Sequence, residues 1–247
     1  MSPPGERLNR FLARRGVSSR RGADTLITAG RVVVNDTVAQ IGTVIEPDKD
    51  KVLVDGREVG HSPQWVTLIL NKPKGVVSTR RDPQHRPTVM QLVESVVGLV
   101  PVGRLDTDSR GLLLLTNDGE LAHRLTHPRF GITKSYHVTL TAEPNAEQLK
   151  RLRTGTELDD GFAKPVAVNS VVHAHNAVIE VVMEEGRKRE VRRMCAAVGL
   201  EVKALQRVQF GPIQLQGVRE GESRRLSSAE TKVLYASVAL SMSKAQR

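Results

Sequence analysis

Residues 102–119 read VGRLDTDSRGLLLLTNDG, which sets two carboxylates, Asp106 and Asp108, between a Gly-Arg pair and four leucines. An ionised carboxylate held over a cleft can attack an electrophilic carbon or take a proton from a reacting group. The unbroken leucine run is the pattern of a strand buried on both faces, and Asn117-Asp118-Gly119 is a turn signal leading into the helical pattern ELAHRL. Asp106 is therefore predicted in the loop just before a central strand, where a rigid scaffold holds a side chain facing a cleft. Asp108, followed by Ser109 and Gly111, reads as turn chemistry instead. A water-excluding pocket would raise an aspartate above its ordinary pKa of about 3.9 unless a cation sat beside it.

Other constellations do not hold together. Two carboxylates two positions apart in one loop are poorly placed to flank a sugar, as a glycosidase pair must, and a basic chain has little reason to seek neutral glycans. His123 and His127 fall at i and i+4 of a predicted helix, but HRLTH lacks the glutamate of a zinc-protease motif and no third ligand is near, so they read as structural or RNA-facing. NKPKGVV lacks the second glycine and the Lys-Ser/Thr ending of a phosphate-binding loop. Glu184 and Glu185 are better explained as partners of nearby arginines than as acid–base groups. A single cysteine, Cys195, excludes an internal disulfide and a multi-cysteine zinc site. No metal is expected.

Lys and Arg number 37 against 27 Asp and Glu, for a net charge of +10 and a pI near 10.2, the footprint of a polyanion binder. One concentration holds Arg7, Arg10, Arg14, Arg15, Arg20, Arg21 and Arg31 against Glu6 and Asp24. A second holds Arg187, Lys188, Arg189, Arg192, Arg193, Lys203 and Arg207 against Glu190 and Glu201. Their separation suggests a bipartite grip. No stretch approaches a membrane span and nothing marks the chain for export, so it is expected to be soluble and cytoplasmic.

The elements that must position these residues are legible in outline. Leu8, Phe11 and Leu12 recur at helical spacing until Gly16, Ser18 and Ser19 can cap a second helix ending near Ala29, and RVVVNDTVAQIGTVI and VLVDGREV read as strands with Asn35-Asp36 and Asp55-Gly56 turns. GHSPQ, residues 60–64, marks a boundary. Beyond it, WVTLILNKPKGVVST, GLLLLT, KSYHVTL, AVIEVVM and EVKALQRVQFGPIQL read as strands, and TVMQLVESV, ELAHRL and NAEQLKRLRTG as helices. Without strict strand–helix alternation this is an α+β chain on a mixed, mainly antiparallel sheet. The expected domains are 1–61 and 65–240. The tail SMSKAQR is expected to be mobile.

RLNRFLARRGVSSRRGADTLITAGRVVVND resembles the small S-four-like RNA-binding module, also called the alpha-L motif, in which a two-helix arginine face meets RNA phosphates. A DNA-binding helix-turn-helix is the competing reading, weakened because the chain passes directly into strands. GRLDTDSRGLLLLTNDG resembles the signature of pseudouridine synthases, in the branch that modifies bacterial ribosomal RNA, the RsuA/RluB type. LNKPKGVVST, DPQHRPTV, ELAHRLTHPRFGITKSYHV, EEGRKREVRRMCAAVG and LQRVQFGPIQL agree in order, so the likeness spans about residues 5 to 230.

The resemblance implies that Asp106 is the catalytic aspartate, that Arg192 is the cation paired with it, and that Tyr136 stacks on the uracil and helps remove the proton from carbon 5. Its neighbour Arg193 should point elsewhere. Arg187 and Arg189 are expected to hold phosphates, as are the amino-terminal arginines, while Arg104 takes the place vacated by a flipped nucleotide or braces the loop. No cofactor is expected for an isomerisation. The implied partner is ribosomal RNA, with the spelling around Glu190, DPQHRPTV and HPRF favouring the 23S molecule, free or in an assembly intermediate, and a monomeric protein. The alternative is a non-catalytic RNA-binding ribosome-assembly factor.

Overall fold

The computed structural model describes residues 5–47, 49–60, 65–172 and 175–240. Of the expected boundary at residues 60–64, residues 61–64 lie outside the described residues, as does the tail at 241–247.

The amino-terminal unit forms around the apolar stripe of its two helices. α1 (Leu8–Arg14) buries Leu8, Phe11 and Leu12; α2 (Arg20–Thr28) opens on Ser19, whose side chain accepts from the Gly22 amide at 3.0 Å, and buries Ala23 and Ile27. These residues share a core with Val32, Ala39, Ile45 and Val52. β1 (Glu6–Arg7) pairs with β4 (Val44–Ile45), and β2 (Val32–Val34), β3 (Thr37–Val38), β5 (Val52–Val54) and β6 (Arg57–Glu58) form an antiparallel sheet in the order β3-β2-β5-β6. Both tight hairpins take the left-handed backbone that two-residue turns require, with φ of 46° and 66° at Asn35-Asp36 and 51° and 74° at Asp55-Gly56.

The larger unit is built on one twisted sheet in the order β13-β14-β10-β15-β9-β7-β17. Its strands are β7 (Thr67–Lys72), β9 (Arg110–Thr116), β10 (Lys134–Leu140), β13 (Ala167–Val171), β14 (Val178–Met183), β15 (Val202–Phe210) and β17 (Ser223–Arg225). The short β8 (Val100–Pro101) and β16 (Ile213–Gln214) extend it alongside β9 and β15, and β11 (Thr156–Leu158) with β12 (Gly161–Ala163) make a separate hairpin. Among the described strands of this sheet only the β9–β15 pairing is parallel, so the sheet is mixed and mainly antiparallel and the chain is α+β.

β9 lies inside the sheet with Leu112, Leu113, Leu114 and Leu115 all fully buried. Alternation divides them: Leu113 and Leu115 enter the core under α4 (Ala146–Thr154) and α5 (Glu190–Ala197), while Leu112 and Leu114 enter the core under α3 (Gly119–Thr126) and α6 (Ser228–Ser237). The Tyr235 hydroxyl of α6 donates to Asp118 Oδ2 at 2.7 Å, and the other oxygen of Asp118 caps α3 by accepting from Glu120 and Leu121.

One predicted helix is largely missing. TVMQLVESV makes only a single 3-10 turn, Val89–Leu92: the Thr88 and Gln91 capping box opens it, but Val93 is already extended at φ −129°. Val93 and Val96 reach the core from irregular backbone instead.

Candidate active site

The loop bearing Asp106 is clamped before it meets the sheet. Ser78 Oγ donates to the Leu105 carbonyl at 2.9 Å and accepts from the Leu105 amide at 3.1 Å, and the Gly75 amide donates to Thr107 O at 2.8 Å. From beneath, Lys72 at the end of β7 is wholly buried and its Nζ donates to the carbonyls of Pro73, Asp106 and Ser109 at 3.0, 3.2 and 2.8 Å. Burial pushes the Lys72 ammonium down to about 8, with the Asp106 and Asp108 charges opposing the shift. Gly111 then lets β9 meet β15: its φ is +106°, and a β-carbon there would collide with the Arg207 carbonyl oxygen and lie 2.7 Å from its nitrogen.

This rigid loop borders a cavity of about 800 Å³, of the size that takes small organic ligands. Asp106 and Tyr136 both line it. The half-buried Asp106 carboxylate receives no hydrogen bond and no ion pair from the described residues. Tyr136 stands on β10 directly across from Arg207 on β15, which places the phenol and the guanidinium as neighbours on one face of the sheet.

Arg207 is 2% exposed, donates from Nε to Leu112 O at 2.7 Å and lies 5.0 Å from the Phe210 ring centre, while its Nη2 has no hydrogen-bond partner among the described residues. Ser109 Oγ, also buried at the cavity wall, has none either. Lys134 donates to Glu184 O at 2.6 Å; burial and then the Arg207 charge push its ammonium below the ordinary lysine range. An unpartnered carboxylate, an aromatic face and buried cations around one cavity suit a planar polar ligand attacked at a carbon or relieved of a proton.

The structure does not bring Arg192 to Asp106. Arg192 directs Nε to Asp108 Oδ2 at 3.4 Å and donates from Nη2 to Asp108 O at 3.2 Å, and it does not border the cavity. Arg189 joins it with Nη1 3.0 Å from Asp108 Oδ1. Burial pulls the Asp108 carboxyl up, but the Arg189 hydrogen bond and the two guanidinium charges outweigh it and hold it below the ordinary carboxylate range. Asp108 is thus more than a turn residue: it ties the Asp106 loop to the start of α5. Arg193 turns to Asp160, at 2.8 and 2.9 Å.

Several arginines expected to grip phosphate are already engaged. Arg187, which borders the cavity, spends its donors on Glu190, Asp160, Gly161 O and Phe162 O at 2.8 to 3.1 Å and is a strut rather than a free cation. Arg189 is held by Asp108 as above, and Arg31 is paired bidentately with Asp55 at 2.7 and 2.5 Å across the small sheet. The second basic concentration is therefore largely neutralised by carboxylates from elsewhere in the chain.

The first concentration faces a crevice of about 1810 Å³ between the two units, bordered by Arg7, Arg10, Arg14, Arg15 and Arg20. Arg14 pairs with Glu6 at 2.5 Å, Arg10 reaches Glu120 of α3 at 2.5 Å, and Arg15 donates to Gly60 O at 3.2 Å. Arg7, Arg20 and Arg21 are exposed and carry no ion pair among the described residues; Arg21 does not border the crevice. Arg104 is exposed at the rim of the Asp106 cavity.

Sequence reasoning missed Lys72, Ser78 and Arg207 as site residues, and Arg80, Arg81 and Arg129 on the crevice wall. For Arg207 a signal existed: it alternates with Leu205 on the core-facing side of an apolar strand. Among the described residues no group of His, Cys, Asp or Glu is arranged to hold a metal ion, and no helix is long and apolar enough to cross a membrane.

Comparison with known proteins gives this geometry a context. Residues 66–197 match the RNA pseudouridylate synthase family and residues 6–50 match the S4 domain. A protein of Aquifex aeolicus (strain VF5) named "Uncharacterized RNA pseudouridine synthase" is 42% identical, covering 95% of each chain. The "Ribosomal large subunit pseudouridine synthase B" of Bacillus subtilis (strain 168) is 37% identical over 94% of this chain and 96% of its own. A solved structure titled "Crystal structure of pseudouridylate synthase" superposes with a TM-score of 0.66 at 29% identity, over 93% of this chain and 99% of the other.

Proposed function

The chain belongs to the RNA pseudouridylate synthase family, and we propose that it converts a specific uridine of ribosomal RNA, in the 23S molecule, to pseudouridine. Asp106 is the catalytic carboxylate and acts on a nucleotide flipped into its cavity. The observation that carries this reading is the Asp106 carboxylate, free of partners on the wall of a cavity it shares with Tyr136.

The reaction breaks the bond between N1 of uracil and C1′ of ribose, leaving the electron pair on N1, turns the base, joins C5 to C1′, releases the proton from C5 and returns one proton to N1. Attack by Asp106 on C1′ and removal of the ribose 2′ proton by Asp106 both need the same ionised oxygen. Tyr136 supplies the ring on which uracil stacks while detached, and its hydroxyl stands to take the C5 proton. Arg207 and Lys134 line the same cavity as cations and complement the negative charge that a nucleotide brings into it. Arg192 and Arg189 act one step back, fixing the loop through Asp108. Unstacking the uridine costs a few kcal/mol, offset by phosphate contacts along the crevice and by Arg104 at the rim.

The large-subunit name of the Bacillus subtilis relative supports the 23S assignment. We assign residues 1–61 to the RNA-binding unit and 65–240 to the catalytic unit of a cytoplasmic monomer acting on free RNA or an assembly intermediate. Mapping pseudouridines in ribosomal RNA from cells lacking the protein tests the substrate: one 23S position should revert to uridine. A change confined to 16S RNA, or none, would refute the assignment.

A further inference from the structure

The paired histidines that carried no motif sit on the ridge between the two basic hollows. His127 borders the Asp106 cavity, while His123 and Arg129 border the crevice between the units. We propose that His123 and His127, braced edge-on by Phe130, form a stacking shelf for one unpaired RNA base, that of the nucleotide next to the uridine drawn into the cavity. This inference rests on the RNA-modifying function proposed above.

The i, i+4 spacing at the end of α3 lays the two imidazoles over each other, with ring centres 5.2 Å apart and planes within 4°. His127 is held by its own loop: its Nδ1 accepts from the Arg129 amide at 3.2 Å, and Phe130 meets it edge-on at 6.3 Å and 84°. Two guanidinium groups flank the Phe130 ring, Arg129 at 4.6 Å and Arg124 at 5.5 Å from its centre. Arg124 is fixed by Glu120 at 2.9 Å and by the carbonyls of Val238 and Ala239 at 3.0 Å. Arg129 carries no ion pair among the described residues.

Both histidines are exposed, and each uses one face on the other, which leaves the outer side of the stacked pair to solvent beside Arg129, a cation without a carboxylate. A nucleobase offers a π face of its own and a phosphate one bond-chain away, which is the ligand this combination suits. A metal ion does not fit, because stacked rings do not converge on a point and no further ligand is arranged near them among the described residues. The placement gives the shelf its role: a strand running from the crevice into the cavity must cross it, and stacking there holds the neighbour while the uridine leaves the helix.

The test is a fluorescence titration of the full chain into a five-nucleotide RNA carrying 2-aminopurine beside its central uridine. Binding should quench the probe; His127→Ala should bind about tenfold more weakly and leave the probe bright, and His127→Phe should restore both. Unchanged quenching and affinity in His127→Ala, or loss of both in His127→Phe as well, would overturn the shelf. Tritium release from a ribosomal RNA fragment labelled at uridine C5 is followed in parallel. Release without quenching in the unaltered protein overturns the shelf and leaves the catalytic reading standing; quenching without release supports the shelf and overturns that reading.

Discussion

Lys72 shows how the active loop is held at the scale of one residue. An ammonium removed from water beneath three carbonyls is stabilised by them but still loses hydration, and its pKa falls from an ordinary value of about 10.4 to about 8. Between those values the unfolded chain keeps a proton that the folded chain has released, so stability rises with pH through that window, by at most about 1.4 kcal/mol per pH unit. Below pH 8 the penalty is present in full. Urea unfolding of the unaltered protein and Lys72→Met at pH 7, 8, 9 and 10 should show their stability difference move in favour of lysine above pH 8; a constant difference would contradict it. Cys195 makes a simpler case: burial pushes its thiol up to about 12 despite the charge of Arg192. A thiol reagent at pH 8 should therefore label the native protein no faster than it unfolds.

At the scale of elements, the loop depends on how closely β9 approaches β15. Gly111→Ala would place a methyl against the Arg207 backbone at a φ that side chains rarely adopt, and should destabilise the fold by on the order of 3 kcal/mol, read as a lower urea midpoint. If the midpoint holds, the approach is looser than described. The strands, their turns and the position of Asp106 were legible because periodicity and turn chemistry are local. The partner of Arg192 was not, because α5 opens at Arg189 in a left-handed conformation, φ 52°, and the arginines of this stretch meet Asp108 and Asp160 from distant loops. Nothing local marks Lys72 for burial; the carbonyls of a loop 34 residues on hold its ammonium.

For the whole molecule, the net charge of +10 is unevenly available. The arginines around α5 are spent on internal ion pairs, whereas Arg7, Arg20 and Arg21 of the amino-terminal unit are free to meet phosphate. RNA affinity should thus fall steeply with salt, and each of these three changed to glutamine that removes a phosphate contact should lower the slope of log K against log salt by about 0.7 to 0.9. The Arg187→Gln change should leave the slope as it is and lower stability instead. Equal slopes for all of the variants would mean that this face does not carry the RNA.

The chemistry of the Asp106 carboxylate is read directly by tritium release from ribosomal RNA labelled at uridine C5, comparing the unaltered protein with Asp106→Asn. The change preserves shape and removes the charge. Release should fall by on the order of 10⁴-fold or more while RNA affinity stays within a few-fold. Release by the asparagine variant at a rate near that of the unaltered protein would mean that Asp106 is not the catalytic carboxylate.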